Sequence, residues 1–189
     1  MVVGLGNPGA EFEGTRHNVG AEAVRRLAAR HGGQLRPEKG LQATMASLQL
    51  DGRRVLVAVP LTYMNDSGMA VGPLVRRAGV GAHLDEALVV VHDELDLPPG
   101  RIRVKAGGGL AGNNGLKSIV AHLHSQDFLR VRIGIGKPPG RQTGTDHVLR
   151  RPATSERSLL DVAIEEAADA VEVLVAEGVD VAMNRFNGT

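Results

Sequence analysis

Residues 87–93, Ala87-Leu-Val-Val-Val91-His92-Asp93, form the stretch that decides the fold. A continuous apolar run of this length is typical of a strand that is buried on both faces of a sheet. Because the run ends in His92-Asp93, two polar residues stand where a buried strand meets the surface. This stretch therefore predicts a central strand of an α/β sheet with a functional site at its end.

Strand and helix patterns alternate on both sides of this run. The segments 43–50 and 54–59 flank Asp51-Gly52, a strong signal for an antiparallel hairpin. Asn18 precedes the first helical pattern and is the expected N-cap. The alternation predicts a mixed, mostly parallel sheet with helices on both faces. The predicted strands are 2–5, 43–50, 54–59, 87–91, 102–104 and 129–135, and the predicted helices are 19–31, 65–77, 115–123, 155–177 and 179–184.

The composition excludes several classes of protein. Of the 189 residues, 42% are hydrophobic and 23% are charged, which suits one globular domain over residues 1–189 and not a disordered chain. The absence of cysteine excludes disulfides, thiolate metal sites and a cysteine nucleophile. The sequence has neither a signal-peptide pattern nor an apolar stretch of about 18 residues, so we expect a cytoplasmic protein.

Charge is unevenly distributed along the chain, although the net charge is only +1. Residues 101–151 carry ten Lys or Arg and two acids, a local charge of +8, whereas residues 152–189 carry two basic residues and eight acids, a local charge of −6. A concentrated basic segment is the pattern expected of a surface that binds nucleic-acid phosphates. The same pattern also fits an ordinary solvated face.

Two glycine-rich stretches resemble nucleotide-binding motifs and depart from them in detail. Gly4-Leu5-Gly6-Asn7-Pro8-Gly9 has the glycine spacing of a dinucleotide-binding oxidoreductase, but about nine further residues separate it from the first helical pattern. In Gly112-Asn113-Asn114-Gly115-Leu116-Lys117-Ser118, Leu116 separates the glycine and lysine that a P-loop requires. We assign no metal site, because the pair His122 and His124 would point in different directions on a helix.

Five polar residues remain at predicted strand ends and helix starts, and these converge at one rim of an α/β sheet. A carboxylate can orient an imidazole, the imidazole can take a proton from water, and amides can stabilise the oxyanion that forms. Such a site would hydrolyse an activated acyl group without metal, cofactor or covalent intermediate. Each asparagine also fits a structural role as a cap or turn residue. The five residues are Asn7, His17, Asn65, Asp93 and Asn114.

Six motifs in chain order resemble bacterial peptidyl-tRNA hydrolases, from residue 2 to about residue 187. This resemblance implies a single-domain α/β/α fold, usually monomeric and active without metal, that hydrolyses the ester of peptidyl-tRNA and recycles tRNA from abortive translation. The motifs are Gly4-Leu-Gly-Asn-Pro-Gly9, Thr15-Arg-His-Asn18, Tyr63-Met-Asn65 with Ser67-Gly68, His92-Asp-Glu-Leu-Asp-Leu-Pro98, Gly107-Gly-Gly109 with Asn114-Gly-Leu-Lys117, and Arg130-Val-Arg-Ile-Gly-Ile-Gly136.

The resemblance also implies roles for individual residues. His17 would be the general base, Asp93 would orient it, and Asn7 would contact the substrate near the ester. Asn65 and Asn114 would hold the peptide main chain or the attacking water. Residues implied to line the cleft are Phe12, Tyr63 and Met64, and those implied to contact phosphates of the acceptor stem and 3′ end of the tRNA are Lys105, Lys117, Arg132 and Arg141.

Two positions depart from the usual residues of the family. Phe12 stands in place of a tyrosine and keeps the ring. Asn113, which the resemblance implies is one of the substrate- and tRNA-binding residues, stands in place of a histidine that could contact the 3′ end of the tRNA. We therefore expect binding near the ester to be weakened or reorganised. A catalytically weak RNA-binding relative of the same fold is therefore the alternative to an active hydrolase.

Overall fold

Seven strands form one sheet in the computed structural model, which describes residues 1–188. The four central strands run parallel to one another, and antiparallel pairing is confined to the two sides of the sheet. The predicted mixed sheet, parallel at its centre, is confirmed. The strands are β1 (Val2–Gly4), β2 (Arg36–Glu38), β3 (Ala43–Leu50), β4 (Arg53–Pro60), β5 (Val89–Glu94), β6 (Ile102–Ala106) and β7 (Leu129–Gly134), and their spatial order is β2-β3-β4-β1-β5-β7-β6.

Helices cover both faces of this sheet. On β5, Val89 and Val91 belong to the hydrophobic cluster beneath the first, sixth and seventh helices, whereas Val90 belongs to the cluster beneath the second and fourth. The predicted three-layer α/β/α arrangement is thereby confirmed. Within the described chain the helices are α1 (Val19–Arg30), α2 (Ser67–Ala78), α3 (Leu84–Ala87), α4 (Asn114–Leu123), α5 (Gly144–Val148), α6 (Thr154–Glu177) and α7 (Val179–Phe186).

At the start of α1, backbone atoms of the helix lie directly against the sheet. A Cβ atom on Gly20 would overlap the carbonyl oxygen of Val91, and one on Gly4 would overlap the carbonyl oxygen of Gly20. The carbonyl oxygen of Leu5 accepts a hydrogen bond of 2.9 Å from the N–H of Ala21 in the first turn of α1. Together these contacts fix the start of α1 against the ends of β1 and β5.

The longer elements agree with the sequence patterns, and the differences concern short segments and the ends of β5. This strand was predicted at 87–91 but runs from Val89 to Glu94, so His92 and Asp93 lie within it. The hairpin turn is at Asp51-Gly52, where both residues have the positive φ angles that a two-residue hairpin turn favours, 48° and 71°. The predicted helix 65–77 begins at Ser67, because Met64–Asp66 forms a 3-10 turn first. Three elements, β2, α3 and α5, are too short to produce a periodic pattern and were not predicted.

The C-terminal segment closes one edge of the sheet. Just after α7, the side chain of Asn187 accepts a hydrogen bond of 2.7 Å from the N–H of Val104 and donates one of 2.8 Å to the Val104 carbonyl. Val104 lies on β6, the outermost strand on this side. Within residues 1–188, no helix has the length and apolar character of a membrane span.

Replacement of Gly20 with alanine tests the backbone contact beneath α1. We expect Gly20→Ala to destabilise the protein by roughly 1–3 kcal/mol, because the new methyl group must displace backbone atoms of β5. The free energy of unfolding in urea measures this effect. Gly81→Ala is the matched control, since its Cβ would be 3.7 Å from the nearest atom, on Val75, and we expect a change of no more than about 1 kcal/mol. Equal effects at both positions would contradict the close-contact explanation.

Candidate active site

A histidine and an aspartate are hydrogen-bonded at the rim where the parallel strands end. His17 lies in a 3-10 turn, Arg16–Asn18, that leads into α1, and Asp93 is the fifth residue of β5. The distance from Nδ1 of His17 to Oδ2 of Asp93 is 2.8 Å, and both side chains are buried. Because the carboxylate accepts the proton on Nδ1, the neutral ring leaves Nε2 unprotonated and able to act as a base.

The environment of His17 changes its affinity for a proton. Burial opposes protonation, but the charge of Asp93 and its hydrogen bond outweigh burial and raise the pKa of His17 above its ordinary value. Asp93 therefore stabilises the imidazolium that forms when His17 accepts a proton. This is the electrostatic arrangement of a carboxylate-assisted general base.

The two other polar residues at the end of β5, His92 and Glu94, have no part in this pair. His92 is buried, and its Nδ1–H donates a hydrogen bond of 2.7 Å to the carbonyl oxygen of Asp93. Burial lowers the pKa of His92. Glu94, the residue after Asp93, accepts hydrogen bonds from Arg132, which neutralises its charge.

Asn7 is held in place by Asn18 and by the turn that follows β4. Asn18 stands at the N-cap position of α1, as predicted, but its side chain makes no capping hydrogen bond. Instead it accepts from the N–H of Asn7 at 2.8 Å and donates to the Asn7 carbonyl at 2.9 Å. The Asn7 Oδ1 accepts from the N–H of Met64 at 2.7 Å. Among the described residues no group accepts from Nδ2 of Asn7, so this donor is available to a ligand.

A cavity of about 220 Å³ opens beside the pair. Its wall includes His17, Asp93 and Asn114, the first residue of α4, with Gly144 and Thr145 of α5 opposite. Asn65 is not on this wall; it is exposed in the 3-10 turn after β4. Of the predicted constellation, the structure thus groups three residues around one cavity.

The sequence profile of the family described as Peptidyl-tRNA hydrolase matches residues 1–189. The chain belongs to the peptidyl-tRNA hydrolase family. Peptidyl-tRNA hydrolases of Cutibacterium acnes and Nocardia farcinica are 46% and 49% identical to it, over 99% of this chain and 97% and 95% of theirs. The crystal structure of peptidyl-tRNA hydrolase from Acinetobacter baumannii is similar with a TM-score of 0.92 and 41% identity, over 99% of this chain and 93% of that one. The resemblance indicated by the sequence motifs is confirmed.

One departure from the usual peptidyl-tRNA hydrolase motif lies directly against the pair. Asn113 is the N-cap of α4, where its Oδ1 accepts from the N–H of Leu116 at 3.0 Å. Its Nδ2 donates to Oδ1 of Asp93 at 3.1 Å. Asn113, predicted as a substrate- and tRNA-binding residue, thus contacts the carboxylate of Asp93.

The second departure, Phe12, packs against Tyr63, the residue before Met64, whose N–H donates to Asn7. The rings of Phe12 and Tyr63 meet edge to face with centroids 6.2 Å apart, and Tyr63 is 55% exposed. Met64, which was expected to line the cleft, is 4% exposed and packs in the cluster with Leu5 and Leu116. Met64 is buried by apolar packing against α4 and is not part of the cavity wall.

A basic surface extends from the site across β6 and β7. The strands pair Lys105 with Arg130 and Arg103 with Arg132, so these four side chains share one face of the sheet. Arg103 is exposed and was not singled out from the sequence, although its spacing from Lys105 on a strand was a usable signal. Lys117 and Arg141 are also exposed, on α4 and on the loop before α5.

Arg130 lies on the same face as its neighbours but differs from them because its side chain is buried. It is 2% exposed and donates hydrogen bonds to the carbonyl oxygens of Gly109 at 2.7 Å and Gly108 at 2.5 Å. Its guanidinium also lies 5.0 Å from the ring centre of Phe128. Arg130 therefore anchors the glycine-rich loop that leads to Asn113.

Arg16, the residue before the candidate base, is a second anchor that sequence analysis missed. Its guanidinium donates two hydrogen bonds of 2.6 Å to the carboxylate of Glu156 on α6. It also donates to the carbonyl oxygens of His147 and Arg150 at 3.3 and 3.1 Å. The turn that carries His17 is thus tied to α5 and α6 as well as to the sheet.

The raised pKa of His17 can be tested without substrate. We expect NMR titration of the ring to give a pKa above about 6.5, the ordinary value, and Asp93→Asn to bring it below that value, because burial remains while the negative charge is lost. Asp180→Asn removes an exposed acid of α7 and should leave the His17 pKa unchanged. An unaltered pKa in Asp93→Asn would contradict the assigned role of the carboxylate.

Proposed function

We propose that the chain hydrolyses the ester bond between a peptide and the terminal ribose of its tRNA, with His17 as general base. The observation that carries this proposal is the 2.8 Å contact between His17 and Asp93 on the wall of an open cavity. Release of tRNA stranded by abortive translation is the corresponding role. Membership of the peptidyl-tRNA hydrolase family supports the same chemistry.

In the proposed reaction, Nε2 of His17 removes a proton from a water molecule as the water oxygen attacks the ester carbonyl. The electron pair of the carbonyl moves to its oxygen, giving a tetrahedral oxyanion. When this intermediate collapses, the bond to the ribose oxygen breaks and the imidazolium returns the proton to that oxygen. Asp93 stabilises the imidazolium between the two transfers.

Asn7 is proposed to select an acylated substrate. Its Oδ1 already accepts from the N–H of Met64, whereas its Nδ2 has no acceptor among the described residues, so Nδ2 is the atom proposed to contact the substrate. An amide N–H can donate to a peptide carbonyl, whereas a free ammonium offers no acceptor and would be left unpaired. Discrimination of this kind can exceed about 10⁴-fold. Asn65 and Asn114 are proposed to hold the peptide main chain or the attacking water, beside the rings of Phe12 and Tyr63.

The basic surface is proposed to hold the acceptor stem and 3′ end of the tRNA. Phosphate contacts position a nucleic acid without reading its sequence, which suits an enzyme that accepts many tRNAs. The residues proposed to contact phosphates are Arg103, Lys105, Lys117, Arg132 and Arg141.

The proposed enzyme acts in the cytoplasm as a monomer, with no cofactor or metal in the reaction. One chain supplies every side chain that the mechanism uses. A catalytically weak RNA-binding relative is the second candidate, and Asn113 in place of the usual histidine is the observation that favours it.

Cleavage of N-acetyl-aminoacyl-tRNA tests the activity and the base together. We expect the blocked ester to be hydrolysed much faster than the same ester with a free amine, and His17→Ala to reduce turnover by roughly 10²- to 10⁴-fold. His83→Ala, which removes an exposed histidine before α3, is the matched control and should retain full turnover. Hydrolysis that persists in His17→Ala would remove His17 from its role, and binding without hydrolysis would favour the second candidate.

The salt dependence of tRNA binding tests the basic surface. We expect log K to fall linearly with log salt concentration, and Arg103→Gln to reduce the magnitude of the slope by about 1, since one phosphate contact is lost. Arg54→Gln, on the opposite side of the sheet, is the control and should preserve the slope. A slope that Arg103→Gln leaves unaltered would exclude Arg103 from the tRNA surface.

A further inference from the structure

Asn113 connects a helix to the carboxylate of the candidate dyad, and both ends of its amide are occupied. The amide oxygen accepts from the N–H of Leu116 at 3.0 Å, and the amide nitrogen donates to Oδ1 of Asp93 at 3.1 Å. The other oxygen of Asp93 is 2.8 Å from Nδ1 of His17. A continuous series of hydrogen bonds therefore runs from the first turn of α4 to the ring of His17.

We propose that Asn113 is a positioning residue that fixes the orientation of Asp93 toward His17, an inference that rests on the proposed function. Asp93 is 4% exposed, so water cannot freely replace a donor at Oδ1. With Oδ1 held by Asn113, rotation of the carboxylate would break one hydrogen bond at each oxygen. Oδ2 thus stays aligned with the imidazole throughout the reaction.

The helix makes this orientation rigid. Capping the N–H of Leu116 restricts the side chain of Asn113, so its NH₂ group points at Asp93. Leu116 and Ile119 are fully buried between α4 and the sheet, which anchors the helix that carries the cap. Arg130 holds the preceding loop through the carbonyl oxygens of Gly108 and Gly109.

The side-chain amide of Asn113 is neutral and adds no charge to the site. Besides His17 and Asp93, the charged group on the cavity wall is Glu94, which is paired with Arg132. The residues that α4, α5 and the glycine-rich loop contribute to the wall carry no charge. Arg16, beside His17 in the chain, is bound to Glu156. A neutral donor at position 113 therefore orients Asp93 without reducing its attraction for a proton on His17.

Two substitutions separate this role from helix capping. Serine and aspartate are both good N-cap residues, so Asn113→Ser and Asn113→Asp keep an acceptor for the N–H of Leu116. Both remove the amide N–H that reaches Asp93, because the serine side chain is one heavy atom shorter and aspartate has no N–H. Aspartate also adds a second carboxylate beside Asp93. Asn184→Asp makes the same change of charge at an exposed position of α7 and serves as the matched control.

The experiment measures thermal unfolding, kcat and KM for N-acetyl-aminoacyl-tRNA, the pH dependence of kcat/KM, and the NMR titration of His17. For both variants we expect a melting temperature close to that of the wild type and a kcat reduced by about tenfold with little change in KM. For Asn113→Asp we also expect a raised His17 pKa and an acid limb of kcat/KM shifted to higher pH, because the added charge favours the imidazolium. The control should match the wild type.

Three results would overturn the proposal. Unchanged kcat and an unchanged His17 titration in both variants would leave Asn113 as a helix cap only. A raised KM with unchanged kcat would make it a substrate contact. Loss of kcat in proportion to a lower melting temperature would attribute the effect to stability. The NMR titration needs no substrate, so it tests the link to His17 even if the proposed hydrolysis fails.

Discussion

The site depends on one close approach between backbones. Gly20 at the start of α1 leaves no space between the helix and the carbonyl oxygen of Val91, and Gly4 meets Gly20 from the neighbouring strand. This approach sets the position of α1 on the sheet, and therefore where the turn before α1 lies. His17 is three residues before Gly20 and Asp93 is two residues after Val91. A side chain between the two elements would separate the pair that the mechanism requires.

The alternation of β5 then divides its polar end between two tasks. Asp93 faces the side of α1, where its partners are an imidazole and a neutral amide. Glu94 faces the other side, where Arg132 on β7 neutralises it. The two adjacent carboxylates therefore have different roles. Asp93 interacts with His17, and Glu94 forms an ion pair that holds Arg132 of the basic surface. A shift of β5 by one residue would exchange the faces of the sheet on which Asp93 and Glu94 lie.

Sequence patterns predicted the layers, the hairpin and the rim because these features repeat along the chain. A buried strand appears in the sequence as an apolar run, and the residue types Asp51-Gly52 are enough to predict the turn between β3 and β4. No repeating pattern in the sequence predicts where a single polar side chain points. Asn18 and Asn113 both stand at N-cap positions, yet only Asn113 caps its helix, because Asn18 is drawn to the backbone of Asn7. Arg16 was missed for the same reason, since its partners are about 130 to 140 residues away.

The side chain of Asn187 has a consequence for how copies of the chain meet one another. An outer strand offers free N–H and C=O groups to any extended segment, and this is a common route to aggregation. At Val104 both groups are already occupied by the amide of Asn187, which imitates a neighbouring strand for one residue. On the far side of the sheet, Pro37 removes a donor from the short strand β2. At Val104 and Pro37 an incoming strand therefore finds fewer free backbone groups, which weakens the addition of further strands at both borders of the sheet.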